Sequence, residues 1–162
     1  LNRKQLKYRT HKSLSVTTMS YVVKDYMKAE VPTVEEHASV TEAAKVMSQS
    51  GRGFLIILKH AHGPPTGIVT EHDLVYKVIA KELDPAKVTV GEIMSSPLIT
   101  VDPDEDLIKA SEIMAKNNIR RLPVVRDGII YGVLTARDIA QRVGEYVNCS
   151  IRDILRWATP AS

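Results

Sequence analysis

Gly67-Ile-Val-Thr70-Glu-His72-Asp73 and Gly132-Val133-Leu-Thr135-Ala-Arg137-Asp138 each place a hydroxyl and a carboxylate three residues apart, after a short apolar run. Two kinds of chemistry fit this spacing. The pair can cap a helix, with hydroxyl and carboxylate satisfying free N–H groups of the first turn. The carboxylate can also accept hydrogen bonds from both hydroxyls of a sugar diol, which needs a fixed acceptor with two oxygens. The two uses are compatible. A helix start offers a phosphate N–H donors and partial positive charge. Near the second motif, Arg137 and the upstream Arg120-Arg121 add planar guanidinium forks. A solvated strand mouth explains Arg120-Arg121 as well. The first motif has His72, Gly53 and Phe54 at the matching places, so it is the poorer anion site.

Other chemistry has less support. His60-x-His62 sits in a Gly-Pro-Pro loop without a third metal ligand, and no P-loop or G-x-G-x-x-G turn occurs. The single cysteine, Cys149, has no evident general-base partner and no disulfide mate within the chain. It excludes a bridge-stapled secreted scaffold and a multi-cysteine zinc site, and a reducing cytoplasm is the expected home. The expectation is therefore no enzyme, no metal and no cofactor. At 162 residues, 44% hydrophobic and 25% charged, the composition is globular, and no run is apolar enough to span a membrane.

The elements that position the two motifs are written twice. Val23-Lys-Asp25-Tyr-Met27 recurs 67 places later as Val90-Gly-Glu92-Ile-Met94, and Thr33-Val34 as Thr100-Val101. The stripe Val40, Ala43, Ala44, Met47 maps onto Leu107, Ala110, Ser111, Met114, and Leu55–Leu58 onto Leu122–Val125. The closing motifs match at an offset of 65, the slip falling in the loop from Lys59 to Thr66. Ile151-Arg-Asp-Ile-Leu155 echoes the opening once more. Met27, Met47, Met94 and Met114 at matching places read as core.

Each copy is expected to run strand, helix, hairpin, helix. The capping box Ser39-x-x-Glu42 opens the first helix, and Asp104 after Pro103 is expected to cap its counterpart. Phe54–Leu58 and Leu122–Val125 read as buried strands, Asp127-Gly128 as a hairpin turn, and Thr70 and Thr135 as starts of the last helices. The second of these helices carries Ile139 and Val143 on one face. One copy alone would leave much apolar surface wet, so the two should pack sheet against sheet about a pseudo-twofold axis, with a cleft between them.

Two tandem units that open h-x-D/E-h-M and close G-h-h-T-x-x-D resemble a pair of cystathionine β-synthase (CBS) domains, the Bateman module. The resemblance spans roughly Val22 to Leu155. It implies an α+β fold of two β-α-β-β-α repeats, at 19–87 and 88–156, and a regulatory module that binds adenosine-containing ligands between the repeats and relays the signal to a partner protein. AMP, ADP and ATP are the first expectation, S-adenosylmethionine and methylthioadenosine the alternative. It also implies pairing into a homodimer.

Each cleft of similar modules borrows from the other repeat. Carried onto this chain, one site comprises Asp138, Thr135, Arg137, Val133, Arg120 and Arg121 with Asp25, Lys28, Arg52 and Gly53. A second, weaker site comprises Asp73, Thr70, His72 and Ile68 with Glu92, Ser95, Pro97 and Ile119 or Arg120. The Asp of each closing motif is the family's ribose-binding position, and adenine between aliphatic side chains needs no aromatic partner.

The formal charge of +3 is uneven: residues 1–18 hold five of the 22 basic residues and no acid, so the rest of the chain is slightly acidic. This stretch is expected to be a flexible basic tail, not necessarily native since Met19 opens the patterned sequence, and 157–162 a short C-terminal tail. A nucleic-acid-binding protein using the basic arm is the rival of another class.

Overall fold

The structure, a computed structural model, describes residues 21–141. The basic tail, Val143, Cys149, the 151–155 echo and the C-terminal tail lie outside the described residues.

The first repeat opens with a 3₁₀ turn at Val23–Asp25. Strand β1 (Thr33–Glu35), helix α1 (Val40–Ser50), strands β2 (Phe54–Leu58) and β3 (Pro65–Thr70) and helix α2 (Glu71–Lys77) follow. The second comprises α3 (Val90–Ile93), α4 (Leu107–Asn117), β4 (Arg121–Arg126), β5 (Ile129–Thr135) and a helix described over 136–141. The first sheet has order β1-β2-β3, with β1 parallel and β3 antiparallel to β2; β4 and β5 form an antiparallel pair.

Local chemistry explains these bounds. Ser39 and Glu42 form the reciprocal capping box, and α1 stops at Gly51 in the left-handed region (φ 63°). Asn118 (φ 51°) ends α4 at the repeat-equivalent place. Asp127 and Gly128 both have positive φ, the requirement of a primed hairpin turn.

Two expectations are corrected. The N-cap of α4 is Asp106, whose carboxylate accepts from the Ile108 N–H at 2.6 Å. Asp104 instead joins Lys24, Asp102 and Arg126 in an exposed ion network. The first strand of the second repeat shrinks to one parallel bridge, Val101 with Val124. The cause is Pro123. Its equivalent, Ile56, donates its N–H to Pro32 at 3.1 Å, and proline has no such donor.

The β2 run is apolar throughout because both faces are covered. Leu55 and Ile57 enter a core with α1, Val69 of β3 and Leu74 of α2. Phe54 and Ile56 point the other way, onto Val133 of β5, in the layer where the two repeats meet.

The openings are exchanged. Val90 and Ile93 of α3 belong to the first repeat's core, whereas Val23 is fully buried among Leu107, Ala110, Met114, Leu122, Val124 and Leu134 of the second. Burying one such valine contributes about 1.5–3 kcal/mol. Backbone bridges fix the exchange: Val22 pairs with Asp106 and Lys28 with Val133, and their repeat images Thr89 with Ser39 and Ser95 with Ile68. The bridges come in image pairs, so the repeats are related as by a twofold axis.

Candidate functional site

Each closing motif sits where a strand turns into a helix at this exchanged seam. In the first, Asp73 Oδ2 accepts from the Thr70 N–H at 2.8 Å and hydroxyl at 2.7 Å, and the Asp73 N–H donates to Thr70 Oγ1 at 3.4 Å. In the second, Asp138 Oδ2 accepts from the Thr135 N–H at 2.9 Å and hydroxyl at 2.5 Å, and the Asp138 N–H donates to Thr135 Oγ1 at 3.2 Å. Both motifs are thus helix caps. The caps spend one carboxylate oxygen and leave Oδ1 outside the cap.

A lysine meets that second oxygen in each case. Lys28 Nζ, from the opening of the first repeat, lies 3.2 Å from Asp138 Oδ1, and the Asp138 side chain is only 8% exposed. Lys77, one helical turn after Asp73, lies 2.8 Å from Asp73 Oδ1 and donates to the Ile93 carbonyl at 2.6 Å. Burial pushes the Asp138 carboxyl upward, but the Thr135 hydroxyl, Lys28 and the Thr135 N–H outweigh it, and the net displacement is below the ordinary carboxylate value. Asp73 follows the same pattern, with burial opposed by Lys77 and Thr70. Both are therefore carboxylates at neutral pH.

The remaining residues of the Asp138 group divide. Val133 and Lys28 exchange both backbone hydrogen bonds, at 2.9 and 3.0 Å. Arg121 pairs with Thr135 across β4–β5 and lays its guanidinium 5.4 Å from the Phe54 ring centre, joining the two strand mouths. The Arg120 carbonyl accepts from the Ala136 N–H at 3.0 Å, and Arg137 is exposed on the first turn of its helix. Asp25 is exposed on the 3₁₀ turn. Arg52 and Gly53 adjoin the first motif: the Gly53 carbonyl accepts from Glu71, and a Cβ on Gly53 would fall 2.3 Å from a Glu71 carboxylate oxygen. Phe54, the next residue, faces the Arg121 guanidinium of the second repeat.

At Asp73, Ile68 and Ser95 form the equivalent double bridge, at 2.8 and 3.1 Å. His72 stacks on Tyr76 at 4.1 Å. Glu92 is committed to a cap, accepting from the Thr89 N–H at 2.7 Å and hydroxyl at 2.9 Å. Pro97 is exposed beyond the bridge, and Ile119 packs at the edge of the second repeat's core.

Sequence reasoning missed Lys77, although its place four residues after Asp73 on a helix was a usable signal. It also missed the two close approaches at glycine. A Cβ on Gly132 would lie 2.6 Å from the Lys28 carbonyl oxygen and 2.9 Å from Met27 Sδ. On Gly67 it would meet Met94 Sδ at 2.5 Å and the Ser95 carbonyl at 2.9 Å. The recurrent Gly of the motif is what lets the other repeat's opening lie flat on the strand.

A duplicated α+β unit with exchanged openings and two carboxylates at the seam is the architecture of a tandem CBS pair, a class that is generally regulatory and ligand-binding. The chain belongs to the CBS domain family, whose model matches residues 23–80 and again 90–145. Among its relatives, the CBS domain-containing protein YhcV of Bacillus subtilis is 33% identical over 118 residues, covering 73% of this chain and 82% of its own. The hexameric CBS-CP12 protein from bloom-forming cyanobacteria is structurally similar, with a TM-score of 0.69 and 34% identity over 75% of this chain and 67% of that one. The CBS domain pair of MJ0100, in complex with 5′-methylthioadenosine and S-adenosyl-L-methionine, gives 0.67 and 32% over 77% and 97%. Among the described residues no helix is long and apolar enough to cross a membrane, and no three metal-ligating side chains cluster.

Proposed function

We propose that this chain senses adenosine-containing ligands, AMP before ADP or ATP, at the seam between its repeats and relays their level to a partner protein. The observation that carries the reading is Asp138: its carboxylate is anchored through Oδ2 and directs Oδ1 toward the other repeat. A ribose diol needs such an acceptor, preset in ionised form. Arg120, Arg121 and Arg137 around the same motif favour a phosphate-bearing ligand. The first motif has Gly53, Phe54 and His72 at those positions, with Glu71 beside Gly53, and is the weaker site. Association of two copies accompanies this reading.

Isothermal titration of AMP into the full chain tests it. Asp138→Ala should weaken binding roughly tenfold to a hundredfold, as expected for losing one charge-assisted contact of about 1.5–3 kcal/mol. Unchanged affinity in that variant removes the ribose assignment. The second reading, a sensor of S-adenosylmethionine or methylthioadenosine, draws on the ligands named for the MJ0100 pair. It predicts that these two, and not AMP, raise the melting temperature.

A further inference from the structure

Lone-pair counting at Asp138 carries an inference that rests on the adenosine-ligand reading. A carboxylate offers about four acceptor positions, two per oxygen. Thr135 uses two at Oδ2 through its N–H and hydroxyl. The Lys28 ammonium stands 3.2 Å from Oδ1 as an ion pair, across the approach to that oxygen. A ribose brings two hydroxyls, and Oδ1, with the ammonium against it, is the oxygen left to take them. Both hydroxyls can bind there only if the ammonium leaves.

We propose that Lys28 gates the Asp138 site and selects for anionic ligands: the sugar displaces the lysine from Oδ1, and a phosphate on the same ligand takes up the released ammonium. The local structure suits this exchange. The Lys28 backbone is pinned to Val133 by two hydrogen bonds, so the seam stays closed while the four-carbon stem swings. The side chain is half exposed and needs no cavity to move through. Asp25 and Glu30 on the same segment are exposed to water, where an ion pair contributes little, so neither replaces Asp138 well. A neutral nucleoside or a sulfonium ligand would leave the ammonium without a strong partner.

The first motif lacks this device. Ser95 stands where Lys28 stands, and Asp73 is held instead by Lys77 of its own helix, which the Ile93 carbonyl also retains. Exchange there breaks two contacts and frees no group from the opposite repeat. A displaceable lysine supplied by the opposite repeat is thus found at Asp138 and not at Asp73.

The test is titration of AMP and of adenosine into the full chain and into Lys28→Met and Lys28→Arg, with a melting curve for each to establish folding. The parent should bind AMP about tenfold or more tightly than adenosine. Lys28→Met should bind adenosine more tightly than the parent does, because the internal competitor is gone, and its AMP-to-adenosine ratio should fall about tenfold. Lys28→Arg should keep the ratio. A ratio in Lys28→Met equal to the parent's overturns the gate while leaving the ligand reading intact. Absence of binding by both probes to the parent overturns that reading and the gate with it.

Discussion

Gly132→Ala tests the exchanged seam directly. The new Cβ would sit 2.6 Å from the Lys28 carbonyl oxygen, where ordinary contact begins near 3.4 Å, so the opening backbone must retreat by most of an ångström. Met27 Sδ, at 2.9 Å, can rotate aside; a carbonyl held in a bridge cannot. The retreat stretches the Val133 N–H to Lys28 carbonyl bond from 2.9 Å to beyond hydrogen-bonding range and loosens its partner. Two backbone bonds at about 1 kcal/mol each give roughly 2 kcal/mol. The lower unfolded-state entropy of alanine returns about 0.4–1 kcal/mol. A net loss of about 1–2 kcal/mol lowers the melting temperature by roughly 2–8 °C at this chain length. Calorimetry on the variant reads this directly. Gly67→Ala, with Ser95 in place of Lys28, should behave alike. A melting temperature equal to or above the parent's would refute the claim that these glycines exist for the close approach.

The helix ends offer a contrasting case, since Gly51 has open space around its Cβ position and only its φ of 63° to protect. Gly51→Asn should be nearly neutral in urea unfolding, because Asn118 holds the same conformation in the other repeat, whereas Gly51→Ala and Asn118→Ala should each cost about 1 kcal/mol. Acid should destabilise the fold. The folded-state values of Asp73 and Asp138 lie below their unfolded ones, so their contribution is present at neutral pH and is lost as pH falls below about 4. Urea midpoints at pH 6 and pH 3 should differ less in an Asp73→Asn, Asp138→Asn double variant than in the parent. An equal difference would transfer the effect to other carboxylates, such as Asp104, which Lys24 and Arg126 hold down to about 2.

The duplication was legible because core positions recur at a constant offset: Val40, Ala43 and Met47 are buried, and so are Leu107, Ala110 and Met114. The capping boxes at Ser39 and Thr70 were legible because all their partners lie within three residues. Errors arose where short-range signals competed. Asp102, Asp104 and Asp106 are all plausible caps in sequence, and what separates them is the distant Arg126, which recruits the first two. Pro123 could have warned of the shortened ladder beside Val101. The pairing of Lys28 with Asp138 joins residues far apart in the chain; the family resemblance put both in one site without pairing them. No local pattern could reveal that a lysine meets the Asp138 oxygen the cap leaves over, since that depends on where the exchanged opening comes to rest.

The exchange also imposes a timetable on synthesis. When Val90 and Ile93 leave the ribosome, β2 and β3 already exist, so the earlier core can close on its own nascent chain. Val23 has no such luck: its partners from Leu107 to Leu134 follow roughly 80–110 residues later, a delay on the order of ten seconds at typical elongation rates. During that interval the Val23 segment waits without the partners of its core. Slowed translation of the later half should therefore cost yield even when the sequence is unaltered.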